Sequence, residues 1–222
     1  MSDHLEEIPL FPLHAVLLPY ERLQLHIFEP RYREMINNCL EYDLPFGVSL
    51  IRQGQEVGGI AEPYLVGTAA RIDQVHRYPD GRMHVSVYGE RRFRIRRLIE
   101  DKPYLVGMCE PLIEQKQFGS PRLLSLCAQM IEEFRLLING MLARPDFNID
   151  IQLPEDPTAL SFVVAKFLNL DNTIKQRLLE LTSTEERLDE LIPLIEKQII
   201  ESKVQDVKRL TVEHLSEWIT PN

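Results

Sequence analysis

The stretch Leu23-Gln24-Leu25-His26-Ile27-Phe28-Glu29-Pro30-Arg31-Tyr32-Arg33-Glu34-Met35-Ile36-Asn37-Asn38-Cys39-Leu40 changes its apolar period halfway along. Leu23, Leu25 and Ile27 alternate with Gln24 and His26, which predicts a strand with one face buried. Pro30 then suits the first turn of a helix, and Glu29 suits its positive end. Met35, Ile36, Cys39 and Leu40 form a single apolar stripe, and Asp43-Leu44-Pro45 closes the helix. The stretch therefore reads as strand, tight turn, helix.

Working outward, both flanks read as short strands. Upstream, Ile8-Pro9-Leu10-Phe11-Pro12-Leu13 is extended, because a residue before proline is pushed out of the α region. Val16 to Leu18 reads as a further short strand. Downstream come Phe46 to Ile51, a Gly54 to Pro63 loop, and Val66 to Ile72. The Pro79-Asp80-Gly81 turn follows, with Met83, Val85 and Val87 alternating on the return. Phe93 and Ile95 are interleaved with Arg92, Arg94 and Arg96, and Tyr104 to Pro111 supplies a last strand. Short strands with close turns and one helix predict a small closed or half-closed barrel, since closure removes exposed edges.

The period changes near residue 112. Ser120-Pro121 is a cap followed by a first-turn proline, and Leu123, Leu124, Cys127, Met130, Phe134, Leu137, Met141 and Leu142 line one helical face up to Arg144-Pro145. Asp156-Pro157 repeats that start. Leu170-Asp171-Asn172 opens a third helix, and Ser183-Thr184-Glu185-Glu186 fits a capping box before a fourth. Pro193 lies inside the fourth pattern and should kink or divide it, at a cost of about 3 kcal/mol. The expected class is α+β, with a barrel subdomain over 1–112 and a helical subdomain over 113–222.

The chain has 222 residues, with 25 basic and 34 acidic ones for a net charge of −9. That excludes a whole-molecule basic footprint for nucleic acid. No apolar run reaches the ~18–20 residues that span a bilayer, and no secretory leader is visible. The three cysteines, Cys39, Cys109 and Cys127, are far apart and odd in number. They make no disulfide framework, so a reducing cytoplasm is the expected compartment.

Catalytic signatures are missing. There is no G-x-x-x-x-G-K-[ST], no G-x-G-x-x-G, no H-E-x-x-H and no G-x-S-x-G. His76 and His84 flank the Pro79 turn without further ligands, so a solvated sheet face outweighs a zinc site. Neither cofactor nor metal is expected. Arg92, Arg94 and Arg96 could form a phosphate-binding stripe on one strand face, but the acidic total favours a solvated face paired with Glu90, Glu100 and Asp101. Around the strand-to-helix turn, Phe28, Arg31 and Tyr32 combine aromatic and guanidinium groups, the types enriched at binding hot spots. The structural alternative has Phe28 plugging the barrel end and Glu29 pairing with Arg33. Trp218 is expected to pack the tail down.

These segments, in this order, resemble the N-terminal domain of the ATP-dependent Lon protease and its free-standing relatives. The resemblance rests on Ile8-Pro9-Leu10-Phe11-Pro12-Leu13, Ile27-Phe28-Glu29-Pro30-Arg31-Tyr32, Val66-Gly67-Thr68-Ala69-Ala70-Arg71-Ile72 and Gly89-Glu90-Arg91-Arg92-Phe93-Arg94-Ile95. It extends to Glu155-Asp156-Pro157, Lys175-Gln176-Arg177-Leu178-Leu179-Glu180 and Glu185-Glu186-Arg187-Leu188. It implies a PUA-like barrel followed by a helical bundle, without the ATPase and protease modules of full-length Lon. It also implies a non-enzymatic protein that binds unfolded or hydrophobic protein segments in a groove between barrel and bundle. Phe28, Arg31 and Tyr32 are the candidate contacts. A full-length Lon-type protease and a second copy are further implied partners. RNA binding through the Arg92 face is the alternative, and no membrane partner is expected.

Overall fold

The computed structural model describes residues 5–59, 61–115, 120–142 and 152–216. The chain divides into two compact units, residues 1–116 with 170–182, and residues 117–169 with 183–222.

The first unit is a barrel. Its strands are β1 (Glu6–Leu13), β2 (Arg22–Ile27), β3 (Phe46–Gly54), β4 (Ala61–Pro63), β5 (Val66–Arg77), β6 (Met83–Ile99) and β7 (Val106–Pro111). The order β1-β7-β6-β5-β3 is closed by a parallel pairing of β1 with β3, Leu10 opposite Gly47 and Leu13 opposite Leu50. The two alternating stretches around Val85 and Ile95 are one strand of 17 residues. Register shifts opposite it at Ala69/Ala70 and Ile72/Gln74 bend the ladder, as bulges do, so β6 reaches β2, β5 and β7 along its length. Gly67 permits the closure: a Cβ there would lie 2.6 Å from the Val48 carbonyl oxygen and 2.7 Å from the Phe93 ring.

Helix α1 (Pro30–Glu41) places Tyr32, Met35, Ile36 and Cys39 in the barrel core with Phe11, Phe46 and Val85. Each such side chain contributes roughly 1.5–3 kcal/mol when fully buried. Asp43, at φ 50°, ends the helix in the left-handed region, and the Leu44 amide returns to the Cys39 carbonyl at 2.9 Å.

Val16 to Leu18 is buried but is not a strand. Its backbone is satisfied locally. The Leu18 amide donates to the Glu21 carboxylate at 2.9 Å, and the Glu21 amide donates to the Leu18 carbonyl.

The second unit packs α2 (Pro121–Leu142), α3 (Pro157–Phe167) and α5 (Thr184–Ser216) around Met130, Phe134, Leu160, Val164, Leu188 and Ile195. The Asp156 side chain caps α3 by accepting the Ala159 amide at 2.7 Å, and Ser183 caps α5 through the Glu186 amide. Arg187 is fully buried, with its guanidinium 4.1 Å from the Phe162 ring centre and Nε donating to Ser161 Oγ. Pro193 does not divide α5. It faces solvent, where the carbonyl one turn back, deprived of its amide partner, can be hydrated.

One helix departs from the expected division at 112/113. α4 (Asn172–Glu180) folds with the barrel. Gln176 Nε2 donates to the Val66 carbonyl of β5, and Asn172 donates to the His14 carbonyl. The Arg144-Pro145 stop and Trp218 lie outside the described residues.

Candidate functional site

Phe28 ends the turn between β2 and α1 and remains 44% exposed, 5.6 Å from the His26 ring. Tyr32, one turn into α1, is only 5% exposed. Its ring meets Phe11 edge-on at 4.3 Å, and the Arg31 guanidinium lies 4.5 Å from its centre. Burial pushes the Tyr32 hydroxyl above its ordinary pKa, with Arg31 opposing. Tyr32 is therefore a neutral wall, and Phe28 is the accessible aromatic.

Both line a cleft of about 340 Å³, whose wall also includes Phe11, the β2 residues from Leu23 on, Leu13 to Ala15, Glu56 and Val57. All of these residues belong to the barrel unit, whereas the sequence placed the candidates in a groove between barrel and bundle.

Arg31 does not line this cleft. Its Nε lies 3.1 Å from Glu29 Oε2 and its Nη1 donates to the Gly59 carbonyl at 3.2 Å. Glu29 thus pairs with Arg31 and not with Arg33, which instead donates to the Asp80 carbonyl of the β5–β6 turn. The Gly58 amide also donates to Glu29, and the His14 amide donates to Glu56 at 2.8 Å. These bonds pin the 56–59 loop beside the cleft mouth.

The arginine strand is not an open stripe. Arg92 is 5% exposed and donates to the Leu179 and Leu181 carbonyls and to Glu114. Arg96 pairs with Glu110 and Arg91 with Glu6. Arg92 is therefore not a solvated charge as the sequence suggests: α4 covers this face, and no local pattern records that.

His76 and His84 are cross-strand partners, and His26 opposes His84 from the other side. The rings of His26 and His84 lie 4.9 Å apart, and Nδ1 of His84 is 3.2 Å from the Tyr78 hydroxyl. Among the described residues no group of three or more His, Cys, Asp or Glu side chains is placed to hold a metal ion. Among them also, no helix is long and apolar enough to cross a membrane.

Residues 7–197 match the family described as the ATP-dependent protease La (LON) substrate-binding domain. The chain belongs to this family. The Lon protease of Syntrophomonas wolfei is 30% identical over 200 residues, which is 87% of this chain and 24% of that protein. The Escherichia coli K12 Lon protease is 26% identical over 202 residues, 87% of this chain and 25% of the relative. This Lon-type domain thus spans about a quarter of the curated relatives it matches. A Lon N-terminal domain protein from Xanthomonas campestris superposes with a TM-score of 0.61 at 27% identity, covering 85% of this chain and 98% of the other. The N-terminal domain of Mycobacterium avium complex Lon protease gives 0.64 at 21% identity, over 86% and 98% of the two chains, and supports the fold alone.

Sequence reasoning picked out Phe28 and Tyr32 but missed Leu13 to Ala15, Glu56 and Val57. These come from separate loops with no common motif. The alternation of β2 is the one sequence signal that bears on this wall, and it defines the strand alone.

Proposed function

We propose that this Lon-type domain is a non-catalytic binding module that holds unfolded or hydrophobic protein segments in the cleft beside β2. The observation that carries the reading is the exposure of Phe28 at a cleft that it shares with Phe11, Leu23, Leu25 and Tyr32. A large aromatic kept in water at a concave site gains about 25 cal/mol for each Å² it covers on binding. The family description, which names substrate binding, supports the same reading. Burial of Arg92 and the ion pairs of its neighbours weigh against the nucleic-acid alternative. A longer Lon-type protease and a second copy of the chain are further partners under this reading.

The test is fluorescence anisotropy with a labelled polypeptide kept unfolded by reduction and alkylation. The expected result is saturable binding that Phe28→Ala weakens about fivefold, or about 1 kcal/mol, with no change in thermal unfolding. Equal affinity for the wild type and Phe28→Ala, or cleavage of the probe by purified protein, would defeat the proposal.

A further inference from the structure

The cleft touches Leu23, Gln24, Leu25, His26 and Ile27, five consecutive residues of β2, and then Phe28 and Glu29. Successive strand side chains point to opposite faces. A cleft that meets all of them therefore runs along the edge of β2 and not across one face. Among the described residues β2 pairs with β6 alone, so that edge carries main-chain groups outside the ladder.

The register identifies which groups these are. The Gly89 amide donates to the Glu21 carbonyl at 2.9 Å, so the carbonyl of Glu21 faces β6. The ladder from Arg22 opposite Tyr88 to Ile27 opposite Met83 has no shift. By antiparallel alternation, Leu23, Leu25 and Ile27 direct their main-chain groups to β6, and Gln24 and His26 direct theirs into the cleft.

Charge complementarity gives the remaining chemistry. Glu56 lines the cleft and accepts the His14 amide, and among the described residues no cation pairs with it. The other carboxylate there, Glu29, shares its charge with Arg31, and the whole chain carries −9.

We infer that the cleft binds its client by β-strand addition. An extended polypeptide pairs with the outer edge of β2 through the main chain of Gln24 and His26, with apolar side chains at alternate positions against the cleft wall and a basic residue beside Glu56. This rests on the client-binding reading above and specifies its mode. Main-chain pairing reads no particular sequence, which suits a binder of unfolded segments.

The probe is a fluorescein-labelled eight-residue peptide alternating valine and threonine and ending in two lysines. Two derivatives carry backbone N-methyl groups on the odd or on the even residues. One set should weaken binding at least tenfold, and the other should stay within twofold. If the parent binds and both sets behave alike, strand addition is wrong while client binding survives. If the parent does not bind at all, both readings fall. Gln24→Pro removes one outward N–H without touching the β6 ladder and should also cost at least tenfold, with thermal unfolding retained. Undiminished binding by that variant overturns the inference. If it fails to fold, the methylated peptides on the wild-type chain still decide. Glu56→Gln should lower affinity about threefold and flatten its salt dependence. An unchanged salt dependence removes the basic residue from the assignment.

Discussion

The guanidinium of Arg92 reaches the last turn of α4, where its Nη1 donates to the Leu179 carbonyl at 2.5 Å and to the Leu181 carbonyl at 2.6 Å. A helix end leaves carbonyls without amide partners. Here a strand residue 87 positions earlier supplies the donor, and Glu114 balances its charge. The bond pattern explains why an arginine can sit buried in a barrel wall and why α4 belongs to the barrel unit.

Replacing Arg92 with methionine keeps the bulk and removes every donor. It withdraws the Arg92 donors from the Leu179 and Leu181 carbonyls and from the Glu114 carboxylate, at a cost of about 3 kcal/mol. Urea unfolding should show that loss, and hydrogen exchange should accelerate over 172–180. A loss below about 1 kcal/mol would mean the bonds are incidental.

Gly89 is closely packed for a different reason. A Cβ there would stand 2.4 Å from the Leu18 carbonyl oxygen, and backbone cannot swing aside as a side chain can. Gly89→Ala should destabilise the barrel by roughly 1–3 kcal/mol, read from the urea midpoint. A midpoint equal to that of the wild type would contradict the packing.

The Asp156 and Asp171 side chains accept the amides of Ala159 and Ile174 at the starts of α3 and α4. Alanine at either position should cost about 1 kcal/mol, and serine should recover most of it. Chemical denaturation of the four single variants checks this. Equal losses for alanine and serine would show that the caps are not the cause.

Burial pushes the Cys39 thiol up to about 11 and the Cys109 thiol up to about 12, from an ordinary value of 9.0. A raised folded pKa means that the folded chain holds a proton the unfolded chain releases. The stabilisation is therefore full below pH 9 and is lost as pH rises toward 11 and 12. Unfolding free energy should fall above pH 9, and replacing both thiols with alanine should flatten that slope. Half-buried Cys127 should react first with a disulfide reagent at pH 8. Reaction of all three at one rate would refute the assignment. On the acid side, Arg96 hydrogen-bonds Glu110 and the Arg82 amide holds Asp80. Both carboxyl pKa values are depressed, so their contribution is present at neutral pH and is lost as pH falls through the folded values.

Pro193 removes one amide from the ladder of α5, which runs unbroken past it, at an exposed position between buried Ile192 and Ile195. Pro193→Ala should restore one hydrogen bond and stabilise the chain by about 1–3 kcal/mol. Thermal unfolding followed by circular dichroism reads this, and a lower midpoint would show that the proline is required.

Local patterns carried the sequence reading wherever the cause was local. The β2 alternation, the Pro30 start and the Asp156 and Asp171 caps each depend on residues within one turn of each other, and each appears where the pattern puts it. Val16 to Leu18 reads as a strand and is a buried loop, because an apolar run has the same composition in a strand as in a loop whose amide finds a side-chain oxygen. Glu29 was assigned to Arg33 by helical spacing. Glu29 is the cap of α1 and not part of its regular turns, and Arg31 reaches it instead.

Periodicity and punctuation, read along the chain, determined that this protein has strands around one helix and then a helical half, while its motifs in their order carried the resemblance to the Lon N-terminal domain. The tertiary structure alone decided that α4 covers the arginine strand, that β1 closes on β3, and that β2 lines a cleft with Phe11, Tyr32 and Glu56. Those outcomes depend on groups tens to more than a hundred residues apart, as between Gln176 and Val66. A one-dimensional pattern records which side chains prefer burial and does not record which partner will bury them.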